Sequence, residues 1–322
     1  MRDVRRDELM SRTTYPFSRL AVFSALLVCA PAAFAAEPSV AVAWWLWPLG
    51  LFVLCFVLGM LAVPAGVGGG VLFVPIVSGF FPFHLDFVRS AGLLVALAGA
   101  LAAGPGLLRL GLADLRLALP LALVASTTSI VGALIGLALP IAVVQTALGM
   151  AILMIVMIMW RAKKSEFPQV ERADRLSQAL RIHGIFYDAS HGRNVEWRVH
   201  RTPLGIFLFA LIGLLAGVFG LGAGWANVPA LNLVMGVPLR LSAGSSGLIL
   251  SIVDTSAAWV YINKGAVLAI IAAPSVIGMM LGARIGVRLL QIVNATVIRR
   301  LVIAILIFAG LRALGRGLGV WS

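Results

Sequence analysis

The chain has 322 residues, of which 61% are hydrophobic and only 11% charged, with a mean hydropathy of +1.05. No soluble domain of that length hides so much apolar surface, so the composition describes an all-α polytopic membrane protein. The net charge of +13 sits in short segments between apolar runs, as expected of cytoplasmic loops, which argues against nucleic-acid binding.

The first 35 residues read as a targeting segment. Basic residues (Arg2, Arg5, Arg6, Arg12, Arg19) precede the apolar run 20–30, then Pro31 and the triplet Ala33-Phe34-Ala35. This is the pattern of a secretory signal cleaved after Ala35; the alternative is an uncleaved first helix. Either way Glu37 falls outside the cytoplasm. Cys29 and Cys55 both lie in apolar segments and form neither a disulfide framework nor a metal-ligand spacing, and no cofactor is implied.

From residue 44 onward the chain is written twice. A shift of 154 residues places Gly59 on Gly213, Leu61 on Leu215, Ala62 on Ala216, Gly66 on Gly220, Gly68 on Gly222, Gly70 on Gly224 and Pro75 on Pro229. With one-residue and four-residue gaps, 90-SAGLL-94 meets 245-SSGLI-249 and 132-GALIG-136 meets 282-GARIG-286. Such ordered self-similarity marks an internal duplication. Repeat 1 (44–160) has helices expected over 44–65 and 70–82, a glycine-interrupted hairpin, then over 90–108, 113–139 and 141–160. Repeat 2 (204–316) has a hairpin of 204–219 and 225–237, then 243–262, 266–290 and 298–315. The arms of the second hairpin are too short for the bilayer and predict a re-entrant turn, whereas 44–65 alone is long enough to span.

Between the repeats, 161–203 holds nine Lys/Arg against five Asp/Glu and reads as a cytoplasmic linker. It is expected to be solvated, with 170–188 as an alternative headgroup-lying surface helix. Each repeat crosses the membrane an odd number of times, so the second is inverted. That arrangement puts 21 of the 25 basic residues inside and only Arg89, Lys264, Arg312 and Arg316 outside. The expected setting is a bacterial inner membrane, with the C-terminus periplasmic.

The glycines of 66-GVGGG-70 and 220-GLGAG-224 break a helix where broken helices survive only inside protein or beside a polar cavity. The second arms then begin at Val71 and Trp225 with N–H groups that lack intrahelical partners. Bare glycine backbone lets a small ligand reach those groups, and two opposed half-helix ends make an anion site. The alternative is close helix packing at glycines. The candidate substrate contacts are Gly68, Gly69, Gly70 and Val71 in the first turn, and Gly222, Ala223, Gly224, Trp225 and Asn227 in the second. Ser90, Ser245 and Ser246, expected to begin the following helices, can add hydroxyls or act as helix caps. The hydroxyls of 126-STTS-129 are expected to bond back to their own helix. No Lys or Arg is expected at the site centre, since every basic residue lies in a loop or toward a helix end. Asp254, the only acidic residue well within an expected span, is the candidate for proton coupling, or else a structural carboxyl bonded to Thr255 or Ser256. Gly244-Ser245-Ser246-Gly247 has the form of an intramembrane serine-hydrolase nucleophile, but the four histidines all lie in loops, so no base serves it and enzyme function is not expected.

The motifs 66-GVGGGVLFVP-75 and 220-GLGAGWANVP-229, with 236-GVP-238 before 245-SSGLIL-250, resemble the sulfite exporter (TauE/SafE) family, also called toluene sulfonate uptake permeases. The resemblance spans roughly 44–316 without the linker. It implies a secondary transporter of small sulfur-containing or carboxylated anions, with a channel as the alternative, and says nothing of the coupling ion or oligomeric state. Ala223 stands where the middle glycine of the motif is expected, and Trp225 and Asn227 replace small apolar neighbours, so the two half-sites are not equivalent.

Overall fold

A computed structural model describes residues 45–65, 68–109, 111, 113–161, 170, 173–188, 193–289 and 295–320. The signal segment, Cys29, Gly66 and Val67 lie outside the described residues. Repeat 1 forms α1 (Leu46–Ala65), α2 (Gly69–Phe80), α3 (Leu85–Arg109), α4 (Leu115–Ala138) and α5 (Ile141–Arg161). After a short α6 (Arg175–Ala179) and strands β1 (His183–Asp188) and β2 (Arg193–Arg198), repeat 2 forms α7 (Thr202–Phe219) and α8 (Gly224–Pro229). It continues through a π-helical turn (Ala230–Val234) to α9 (Leu239–Asn263), α10 (Ala269–Leu289) and α11 (Ala295–Gly317).

The helices are apolar on all sides, as membrane helices are. Leu123, Trp259 and Phe308 are more than half exposed, while Arg89, Asn227, Ser245 and Asp254 are buried. Six described helices are long and apolar enough to cross a membrane: Leu85–Pro105, Leu115–Ala138, Ile141–Trp160, Thr202–Phe219, Leu239–Asn263 and Ala269–Gly286. The chain is a multi-pass membrane protein.

Both hairpins return to the side from which they start. Trp47, at the start of α1, packs edge-on against Phe81 and Phe83, just past the end of α2, with centroids 5.7 and 5.9 Å apart. In repeat 2 the His200 N–H, before α7, donates to the Met235 carbonyl at 3.2 Å, after the return arm. Each hairpin therefore brings its two outer ends together, with first arms α1 and α7 about 30 and 27 Å long.

The return arm of the second hairpin is not one helix over 225–237. Pro229 supplies no N–H and disturbs the regular ladder, and the chain widens into the π turn, with Met235 N–H bonding Ala230 O at 3.1 Å.

The packing crosses between repeats. Helix α1 lies against α10, and its counterpart α7 against α4. A Cβ on Gly59 would fall 2.7 Å from the Met279 carbonyl, and one on Gly213 would overlap the Ala125 carbonyl. Residues 59 and 213 differ by 154, as do 125 and 279. The repeat seen in the sequence therefore reappears as paired contacts, with small residues letting backbones meet.

The linker departs from expectation. It is neither plain solvated chain nor one surface helix over 170–188, for β1 and β2 pair antiparallel, His183 opposite Arg198. Trp197, on β2, is buried, and Asp174 Oδ1 accepts from the Thr202 hydroxyl at 2.8 Å, tying the segment to the start of α7.

Candidate functional site

The two glycine turns meet tip to tip. A Cβ on Gly224 would lie 2.9 Å from both Cα and N of Gly68 and 2.7 Å from Leu250 Cδ1; one on Gly68 would lie 3.3 Å from the same leucine methyl. A Cβ on Gly222 would in turn sit 2.9 Å from Ala96 Cβ, and 96 and 250 again differ by 154. Neither α2, capped by Gly68, nor α8, capped by Ala223, has a side-chain N-cap. The backbones thus come together as bare surfaces. Gly69 faces the end of the Met279 thioether and Val95, and Val71 is fully buried.

Packing accounts for part of the glycine pattern. A Cβ on Gly70 would come within 2.6 and 2.7 Å of the Leu221 and Gly92 carbonyl oxygens. Gly220 has a φ of +66°, and a Cβ there would overlap the Arg89 backbone, so no other residue fits that turn without strain.

The second turn is the polar one. Asp254 is fully buried, and its Oδ2 and Oδ1 lie 2.8 and 3.4 Å from the Cβ position of Gly222. Its carboxyl approaches the Ala223 N–H, yet neither oxygen makes a hydrogen bond of normal geometry. The hydroxyls of Thr255 and Ser256 bond back to Ser251 O and Ile252 O instead of to Asp254. Within the next turn, buried Trp225 and Asn227 leave the indole Nε1 and both amide atoms without partners. Buried polar groups are normally satisfied, so the hydrogen-bonding capacity of these side chains stays open at the turn.

The serines fall elsewhere. Helix α3 begins at Leu85 and α9 at Leu239, so Ser90, Ser245 and Ser246 lie inside helices instead of starting them. Ser90 Oγ donates to Phe87 O at 2.9 Å, and Ser245 Oγ accepts the Asp114 N–H at 3.1 Å, at the entry to α4. Ser246 is buried beside Ser245. In 126–129, Thr127, Thr128 and Ser129 bond back to their own helix as expected, while Ser126 Oγ has no partner.

Arg89, expected on the extracytoplasmic side in a loop or toward a helix end, lies within α3, 1% exposed, against the back of the second turn. Its Nη1 donates to Gly136 O and Val218 O, both at 3.0 Å, and Nη2 pairs with Asp86. Tyr261, stacked 5.6 Å from the guanidinium, donates to Gly217 O at 3.0 Å. These carbonyls are orphans. Pro140 offers Gly136 no N–H, and α7 stops before residues 221 and 222 can serve Gly217 and Val218. Arg89 and Tyr261 thereby cap the carbonyl end of a helix that terminates inside the protein, where a cation is favourable. The pair Asp86-x-x-Arg89 opening an apolar helix was the available sequence signal.

Two helical hairpins meeting tip to tip among helices long and apolar enough to cross a membrane describe an integral membrane protein. The family model described as Sulfite exporter TauE/SafE matches residues 51–313, and the chain belongs to that family of membrane transporters. No curated protein and no solved structure matches it.

Proposed function

We propose that the protein is a secondary transporter that moves a small sulfur-containing or carboxylated anion across a bacterial inner membrane by alternating access between two inverted repeats. The observation that carries the reading is the contact of the two bare turns beside the unpartnered Asp254, Trp225 and Asn227. Backbone N–H groups at the turns, the indole N–H and the Asn227 amide are the donors for an oxyanion, and among the described residues no cation reaches into the tips. Arg89 directs its guanidinium away from them, toward Gly136 and Val218. Asp254 is the candidate for coupling to protons.

The test is flux into liposomes with sulfite, thiosulfate, sulfonates and short carboxylates. Saturable uptake at carrier rates supports the reading; a non-saturating current shows a channel. Orientation has a separate test. Reporter fusions after Lys163 and after Ser322 are expected on opposite sides of the membrane, and the same side for both would end the inverted arrangement.

A further inference from the structure

Asp254 is an odd neighbour for an anion. Its carboxyl rests on the bare backbone of Gly222 and points at the Ala223 N–H, the surface proposed to hold the substrate. It is fully buried and has no partner of its own.

Among the described residues nothing else nearby neutralises it. In α3, Arg89 lies seven residues before Ala96 and is engaged with Asp86, Gly136 and Val218. In α4, Asp114 and Arg116 sit at the far end, where Asp114 caps the helix. On α9 itself, Tyr261 is two turns away bonded to Gly217, and Arg240 and Lys264 lie at opposite ends of the helix. Helices α7 and α8 and the turn between them carry no titratable side chain. Neither Gly99 nor Ala100, the counterparts of Asp254 with and without the one-residue gap of the repeat, is titratable, so the first repeat has no such group.

We infer that the Asp254 carboxyl and the substrate anion are alternative occupants of the second turn, so that the site accepts a monoanion together with one proton and rejects dianions. This rests on the reading of the turns as the anion site. An ionised Asp254 about 4 Å from a bound anion weakens binding on the order of a thousandfold at the effective dielectric of such sites. Protonation removes that repulsion and converts the carboxyl from acceptor to donor. The second charge of a dianion meets no cation in this donor set, so its burial stays uncompensated. One monoanion and one proton carry no net charge, and their joint movement is electroneutral.

The test uses the full chain in liposomes with methanesulfonate, which stays a monoanion at every relevant pH, and sulfate as the dianion. Expected for the wild type are one proton per methanesulfonate, no dependence of rate on an imposed membrane potential, and no sulfate uptake. Apparent affinity falls by about tenfold per pH unit as pH rises above the titration of Asp254, because the proton-bound form is the one that binds. Asp254→Asn is expected to bind methanesulfonate with pH-independent affinity and to make its uptake potential-dependent. Methanesulfonate uptake without protons and with current, or sulfate carried equally well, overturns this inference while leaving the anion site standing. Proton co-movement that persists in Asp254→Asn also overturns it. Absence of saturable uptake of methanesulfonate and of every anion in the earlier panel overturns the site reading and this inference together. The wild-type proton ratio needs no variant to fold.

Discussion

The two hairpin turns descend from one repeated phrase, yet the second has gathered nearly all the polar machinery. At the first, Gly69 and Gly70 are surrounded by Met279, Val95 and backbone carbonyls. At the second, Arg89 and Tyr261 hold the end of α7 from behind, and Asp254, Trp225 and Asn227 leave polar atoms unpaired at its front. Duplication supplies a symmetric frame, and function can then settle in one half. Under the proposed transport function, the first turn would be a packing surface that completes the site and the second the part that discriminates.

The largest effect that separates the turns is expected from Arg89→Ala. It strands the Gly136 and Val218 carbonyls and leaves Asp86, itself partly solvated, without its partner. A loss of about 3 kcal/mol is expected, read as a marked drop in Tm in detergent. An unchanged Tm would show that the second turn does not depend on this cap.

Gly224→Val and Gly69→Val come next. The new Cβ at 224 meets the Gly68 backbone, which cannot move aside, and is expected to part the tips, abolish transport and cost about 1–3 kcal/mol. At Gly69 the obstacle is the flexible end of Met279, so stability is expected to be nearly kept while flux falls. If both variants transport normally, the glycines serve packing alone and the anion lies elsewhere.

Tyr261→Phe removes one donor and leaves Gly217 O unpaired, with an expected cost of about 1–2 kcal/mol in thermal unfolding and little change in substrate affinity. The smallest stability change, and the sharpest contrast, belongs to Asn227→Leu. Deleting unpaired buried polar atoms is expected to raise stability by up to about 1 kcal/mol while weakening anion binding. Lower stability with intact binding would make Asn227 a structural residue.

Much of this protein was determined by its sequence alone. Hydropathy and length decide that the helices are membrane helices, because a bilayer forces apolar surface outward and backbone bonding inward. The 154-residue self-match locates both turns, since glycine at a repeated break has a backbone reason independent of context. Family membership followed from the same motifs. Tertiary structure alone decided the rest. The return of α1 to its own side is fixed by Trp47 packing on Phe81 and Phe83, an aromatic contact between residues over thirty positions apart. The ribbon of His183–Asp188 and Arg193–Arg198 escaped a reading tuned to apolar periodicity, because its stability depends on cross-strand pairing and burial of Trp197. Arg89 looked like one more loop charge until Pro140 and the end of α7 left carbonyls for it to satisfy. Asp254 was visible as an isolated carboxyl, but its place against Gly222 arises from α9 crossing the second turn. A sequence shows which groups are costly to bury, and only the packed structure shows which neighbours meet them.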